Sequence, residues 1–276
     1  MRILFMGTAE LAGPCLEAIA GQVVHVITQP DRPKGRSLQL APPPVKVTAG
    51  KLGLPVSQPA KIREAIDEIR ALRPDLIVVV AYGQILPQAI LDIPARGCIN
   101  VHTSLLPRWR GASPIQSAIL AGDRETGVTT MFMDAQMDHG DIIQQRVESI
   151  RPDDTSATLH DRLAVLGAGL LAETVAHIVA GTAPRRPQDE TQVTHARKFA
   201  KEDGRIDWTK SPAEIDRQVR AFSPWPGAFT DRDGTFLKVW KVAIVNDAIE
   251  LVEVQPAGGK RMSYEAFQRG HRLTNR

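Results

Sequence analysis

Asn100 and His102 stand two residues apart in CINVH, residues 98–102, a short apolar run that reads as a strand. Strand alternation puts Ile99 and Val101 on one face and Asn100 with His102 on the other. An amide donor and an imidazole therefore leave the strand end side by side. That pairing suits a reaction in which negative charge develops on an oxygen, because both groups can donate a hydrogen bond to it. Alone, Asn-x-His also fits a buried strand whose histidine is hydrogen-bonded in the core. A carboxylate would hold the imidazole's orientation and favour its charged form. The candidate is Asp138, in MDAQMDHGD, residues 133–141. There Asp134 and Asp141 read as turn and strand-edge residues. His139 is a rival partner for Asp138 or an exposed loop histidine. The seven histidines show no His-x-Glu and the cysteines no Cys-x-x-Cys spacing, so no metal is expected.

These groups need a sheet to bring them to one edge. Residues 2–6 read as a strand ending at Gly7-Thr8, followed by a helix over 10–20 and a second strand over 23–28. This opening is Rossmann-like, but G-x-G-x-x-G is absent, so NAD is not expected. Residues 75–81, DLIVVVA, form a near-continuous apolar run, the pattern of a strand buried on both faces of a parallel sheet. Strands over 127–133 and 141–147 complete the sheet, and helices are expected over 45–52, 61–72, 87–91 and 114–120. The clearest helix spans 155–181, capped by Thr155, striped by Leu159, Leu163, Leu166, Leu170 and Val175, and stopped by Gly181. The loop after the CINVH strand is punctuated by Pro107, Gly111 and Pro114. The fold class is α/β with a mostly parallel, Rossmann-like sheet, whose ligands bind at the carboxyl ends of the strands.

Composition narrows the class further. With 276 residues, 43% apolar and 24% charged, the chain has the ordinary composition of a globular protein of one large domain or two. No uninterrupted apolar run of 18 residues exists, so no membrane span is expected. Met1 to Met6 is too short for a signal-peptide core. Cys15 and Cys98 read as two separate core thiols in a reducing compartment. The net charge is +3, and all the excess lies beyond residue 185, where 16 Lys/Arg face 13 Asp/Glu. Residues 29–44 form a long segment with five prolines, from which Arg32, Lys34 and Arg36 project. A basic, proline-stiffened loop beside a ligand edge could hold a phosphate backbone.

INVH-x-SLLP-x-x-RG-x-x-PI resembles the formyltransferases that take a formyl group from 10-formyltetrahydrofolate. SLLPRWRGASPIQ, SPWPG at 223–227 and QPAGGKRM at 255–262 are similar to the branch acting on tRNA. The resemblance implies catalysis by Asn100, His102 and Asp138, the last mapping to the second Asp of Asp-x-Gly-x-Asp-x-Gly. It implies folate contacts from Tyr82, Gln84, Ile85 and from Ser104, Leu105, Leu106 and Pro107. It implies tRNA contacts from Arg32, Lys34 and Arg36, the insertion that meets the acceptor end, and from Lys201. The expected reaction carries the formyl group to the α-amino group of methionyl initiator tRNA, in the cytoplasm, by a monomer with no metal. The expected domains are residues 1–183 for catalysis, 184–205 as linker and 206–276 as a β-rich, OB-like tRNA-binding unit.

Two departures from the pattern stand out. Gln136 replaces the first glycine of the Asp-x-Gly-x-Asp pattern. The chain also passes directly from a strand over 236–245 to one over 249–255, where the family has further strands, so a reduced sheet is expected rather than a closed five-stranded barrel. The shortened unit leaves room for two other readings. One is formyl transfer to a small amine, such as glycinamide ribonucleotide or an amino sugar nucleotide. The other is a tRNA- or folate-binding protein without catalysis.

Overall fold

The apolar runs make a central sheet of seven strands in the computed structural model, which describes residues 1–34, 39–232 and 234–270. In chain order these are β1 Ile3–Gly7, β2 Val23–Ile27, β3 Val56–Ser57, β4 Leu76–Val80, β5 Cys98–His102, β6 Glu125–Phe132 and β7 Ile142–Ser149. They stand in the order β7-β6-β5-β4-β1-β2-β3. Strands β3, β2, β1, β4 and β5 are parallel neighbour to neighbour, and β6 runs antiparallel to β5. Every residue of β1 and β4 is buried, as expected for strands covered on both faces. The mostly parallel α/β sheet read from the sequence is therefore present. Its parallel strands bring the turns after Gly7, Ile27, Val80 and His102 to one edge.

The helices in chain order are α1 Ala12–Ile19, α2 Pro44–Lys51, α3 Ile66–Leu72, α4 Gln88–Leu91, α5 Pro114–Ala121, α6 Ser156–Ala180, α7 Pro212–Ala221 and α8 Tyr264–Gly270. Helix α6 begins where Thr155 Oγ1 accepts a hydrogen bond from the Thr158 N–H, 3.2 Å. It ends at Gly181, whose φ of 70° is left-handed. By length and composition it could cross a membrane. Its residues instead serve the core: Leu163, Leu170, Leu171 and Val175 are buried, and Thr174 exchanges a hydroxyl hydrogen bond with Thr130 of β6, 2.8 Å.

The chain forms two compact units. The first comprises residues 1–111, 127–148 and 161–195, and the second residues 112–126, 149–160 and 196–276. In the second, β8 Ala228–Arg232, β9 Thr235–Val245, β10 Ala248–Pro256 and β11 Met262–Ser263 form an antiparallel sheet in sequence order. Asn246 and Asp247, at φ 49° and 59°, join β9 to β10 in the two-residue manner whose twist matches a hairpin. Ile215 and Val219 of α7 pack on Ala228, Val239 and Val242, and Phe267 of α8 packs on Leu237 and Val254. This is the reduced β-rich unit expected from the sequence. Strands β8 and β11 and helix α8 were not expected: their apolar alternation is too short to read without the neighbours they pair with.

Candidate active site

Strand β5 lies between parallel β4 and antiparallel β6, so Asn100 and His102 leave it at the sheet's carboxyl edge. The SLLP loop that follows is pinned by Thr129 of β6 and Gln145 of β7. The Thr129 hydroxyl donates to the Ser104 carbonyl, 2.7 Å, and accepts from the Leu106 N–H, 3.2 Å. The Gln145 amide donates to the Leu106 carbonyl, 2.8 Å. Ser104 Oγ closes the loop on the Arg108 carbonyl, 2.6 Å. A buried threonine that both donates and accepts leaves this turn little freedom.

His102 Nε2 lies 2.9 Å from the Trp109 carbonyl oxygen. A carbonyl only accepts, so Nε2 carries a proton, and Nδ1 is the nitrogen left for chemistry. Nδ1 faces Asp138 Oδ2 at 3.7 Å, beyond hydrogen-bond distance, with the two side chains 7% and 13% exposed. Asp138 is itself held: Oδ2 accepts from the Gly111 N–H, 2.8 Å, and Oδ1 from the Asn100 amide, 3.4 Å. The three expected catalytic groups thus converge. One detail is corrected, since the Trp109 carbonyl orients the imidazole, a task that the sequence pattern assigns to the carboxylate. Nothing in composition or spacing could reveal a backbone partner. Trp109 and Asp138 also hold left-handed backbone, φ 63° and 51°, uncommon for residues with a side chain.

The Asp138 loop accommodates Gln136 without a glycine. The Gln136 N–H donates to Asp134 Oδ1, 2.8 Å, its φ is not left-handed, and it is exposed. Gly140, by contrast, must be glycine: a Cβ there would collide with the Phe132 carbonyl oxygen. His139 is not a partner of Asp138. Its Nδ1 bonds Asp134 Oδ2, 2.6 Å, and its Nε2 lies 3.7 Å from Glu190 Oε1.

The residues expected to contact folate are distributed differently. Tyr82 belongs to the core cluster with Leu4, Met6 and Ile27, its hydroxyl has no partner, and burial pushes its phenol up to about 12. Its carbonyl accepts from Thr8 Oγ1, 2.8 Å, and from Gln29 Nε2, 3.3 Å. Gln84 is occupied at both ends, accepting from the Ile62 N–H, 2.8 Å, and donating to the Ala60 carbonyl, 3.2 Å. Ile85 is 78% exposed on the carboxyl edge. Ser104 and Leu106 are buried, while Leu105 and Pro107 are half-buried.

Of the basic residues, Arg32 is exposed on a small hairpin, Arg32–Lys34 paired with Gln39–Ala41, within the segment read as a loop. Pro33 hid this hairpin, because proline argues against a strand. The Lys34 side chain and all of Arg36 lie outside the described residues. Lys201 is exposed in the second unit, opening the short helical turn Lys201–Gly204. Among the described residues no group of His, Cys, Asp and Glu is arranged to hold a metal.

An amide, an imidazole and a carboxylate thus meet at the carboxyl edge of a mostly parallel sheet, where open α/β sheets bind their ligands. Residues 1–175 match the formyl transferase family and residues 198–248 its C-terminal domain. A methionyl-tRNA formyltransferase from Geobacter sulfurreducens is 50% identical over 263 residues, covering 94% of this chain and 83% of that one. The one from Methylococcus capsulatus is 46% identical over 304 aligned positions, covering 100% and 99%. That alignment exceeds the 276 residues present, so this chain lacks residues its relative has. A solved N-formyltransferase from Helicobacter canadensis, in complex with folinic acid and dTDP-3-aminofucose, superposes with a TM-score of 0.70 at 20% identity, covering 95% and 98%. The chain belongs to the formyl transferase family, among the methionyl-tRNA formyltransferases.

Proposed function

We propose that the chain transfers the formyl group of 10-formyltetrahydrofolate to the α-amino group of methionyl initiator tRNA, for translation initiation. The observation that carries this reading is the 50% identity to a methionyl-tRNA formyltransferase across 94% of the chain. The site supports it. The acceptor amine of an aminoacyl ester titrates below the roughly 7.7–8.0 of a free α-amino group, so it is largely neutral at physiological pH. It needs no base before attack. As its nitrogen bonds the formyl carbon, the carbonyl electrons move to oxygen, and the Asn100 amide and a protonated His102, through Nδ1–H, donate to that oxyanion. Asp138 then accepts the ammonium proton, directly or through water, as the carbon–nitrogen bond to the folate breaks and the proton passes to the departing nitrogen.

In this reading Tyr82, Gln84, Ile85, Ser104, Leu105, Leu106 and Pro107 border the folate. Arg32, Lys34, Arg36 and Lys201 meet the tRNA. Residues 1–183 carry the chemistry, residues 184–205 connect, and residues 206–276 assist with tRNA. The enzyme works as a cytoplasmic monomer without a metal. The second reading, transfer to a small amine such as an amino sugar nucleotide, is favoured by the four-stranded second sheet alone.

Formylation of methionyl initiator tRNA by the purified protein, resolved on an acid gel, tests both. Formylated product supports the first reading. Tetrahydrofolate release with a small amine acceptor, and none with tRNA, transfers the assignment to the second.

A further inference from the structure

Residues 186–194 fall between the segments that match the two family domains, yet they touch both loops of the site. The segment is attached to β7 by paired backbone bonds, Ile142 N–H to the Arg186 carbonyl, 2.8 Å, and Arg186 N–H to the Ile142 carbonyl, 3.1 Å. Gln188, 9% exposed, then donates from Nε2 to the carbonyls of Asp138 and Gly140, 2.9 Å each. Its Oε1 accepts from Nε and Nη2 of Arg110, 3.0 and 2.8 Å. Arg110, 6% exposed, is closed off by Glu190, 2.7 Å. Farther along, Thr194 Oγ1 accepts from the Trp109 N–H, 2.9 Å, and the Thr194 carbonyl accepts from the Arg110 N–H, 2.9 Å.

Among the residues so gripped, Trp109 and Asp138 hold left-handed backbone. Such backbone persists only where its surroundings over-determine it. Trp109 supplies the carbonyl that fixes the His102 tautomer, and Asp138 is the carboxylate facing that ring. We propose that residues 186–194 are a strap that sets the distance between His102 and Asp138, with Gln188 and Thr194 as positioning residues. Neither touches the reacting atoms. The inference rests on the catalytic reading of His102 and Asp138.

The test compares formylation kinetics and thermal unfolding of wild type with Gln188→Met, Thr194→Val, Thr194→Ser, His102→Ala and Asp138→Asn. Gln188→Met keeps the side chain's length and removes both hydrogen-bonding ends. Thr194→Val keeps its shape and removes the hydroxyl at a half-buried position, and thermal unfolding reports whether the fold is retained. The expected result is a fall in kcat of about 10-fold to 100-fold in Gln188→Met and Thr194→Val, with KM for both substrates within about twofold, since small misplacements act on the chemical step. Thr194→Ser, which retains the hydroxyl, should restore kcat. A kcat near wild type in Thr194→Val, or the same loss in Thr194→Ser, overturns the strap while Asp138→Asn stays inactive. Full activity of both His102→Ala and Asp138→Asn would overturn the catalytic reading and the strap with it.

Discussion

The Trp109 carbonyl decides how His102 can act. By accepting a hydrogen bond from Nε2–H it leaves Nδ1 toward Asp138, so in the proposed mechanism the proton offered to the oxyanion is the one on Nδ1. Asn100 holds Asp138 only weakly, at 3.4 Å, and can turn its amide to substrate at small cost. His102→Ala and Asp138→Asn should each lower kcat by about 100-fold or more, the usual scale for a positioned acid or base, with KM little changed. Asn100→Ala should cost about 100-fold to 1,000-fold, as loss of one oxyanion donor does. Steady-state kinetics on methionyl-tRNA check all three. An unchanged kcat in any variant removes that residue from the mechanism.

At the scale of elements, the Asp138 loop and the basic hairpin each have one residue that holds them in place. Gly140 lets the Asp138 loop lie against the Phe132 carbonyl at the end of β6. Gly140→Ala should lower both the melting temperature and kcat, because the loop must move off the strand to admit a methyl group. Retention of both in the variant would show that the loop is free to shift. Asp31, at the foot of the basic hairpin, is tied to Lys46 and Gln58. Hydrogen bonds from the Lys46 ammonium and then the Gln58 amide hold its carboxyl below the usual range. The unfolded chain therefore binds this proton more readily. The stabilisation is present above the unfolded value, about 3.9, and is lost as pH falls through the lower folded value. Wild type should melt above Asp31→Asn at pH 6, and calorimetry should show that gap closing toward pH 3. A gap constant with pH would exclude this linkage.

Across the whole molecule, charge is unevenly spread, and the basic excess lies beyond residue 185. Each lysine or arginine on a phosphate releases counterions, so ion pairs with tRNA are read from salt dependence. Arg32 and Lys201 are both exposed. Replacing both with alanine should raise KM for tRNA, with KM for the folate unchanged. The slope of log affinity against log salt should fall by about one for each phosphate that no longer has its cation. Measurement over several salt concentrations separates this from a folding defect, which would move both substrates. An unchanged slope would take these two residues off the tRNA path.

Near-continuous apolar runs, the alternation in CINVH and the long amphipathic pattern of α6 determined the sheet, its parallel core and the edge where Asn100 and His102 emerge. Burial rewards those patterns locally, wherever the rest of the chain goes. The Asp-x-Gly-x-Asp-x-Gly pattern implied Asp138 as their partner, and the short passage at Asn246-Asp247 announced a reduced second sheet. Only the tertiary structure decided which atom orients His102, that Tyr82 turns its ring into the core, and that His139 pairs with Asp134 and Glu190 instead of Asp138. It alone revealed Gln188 and Thr194, 50 and 85 residues from the groups they hold. Backbone carbonyls and N–H groups recur all along the chain, so sequence cannot single out the few that a distant side chain reaches. That choice is made when the connecting segment packs back against the loops it serves.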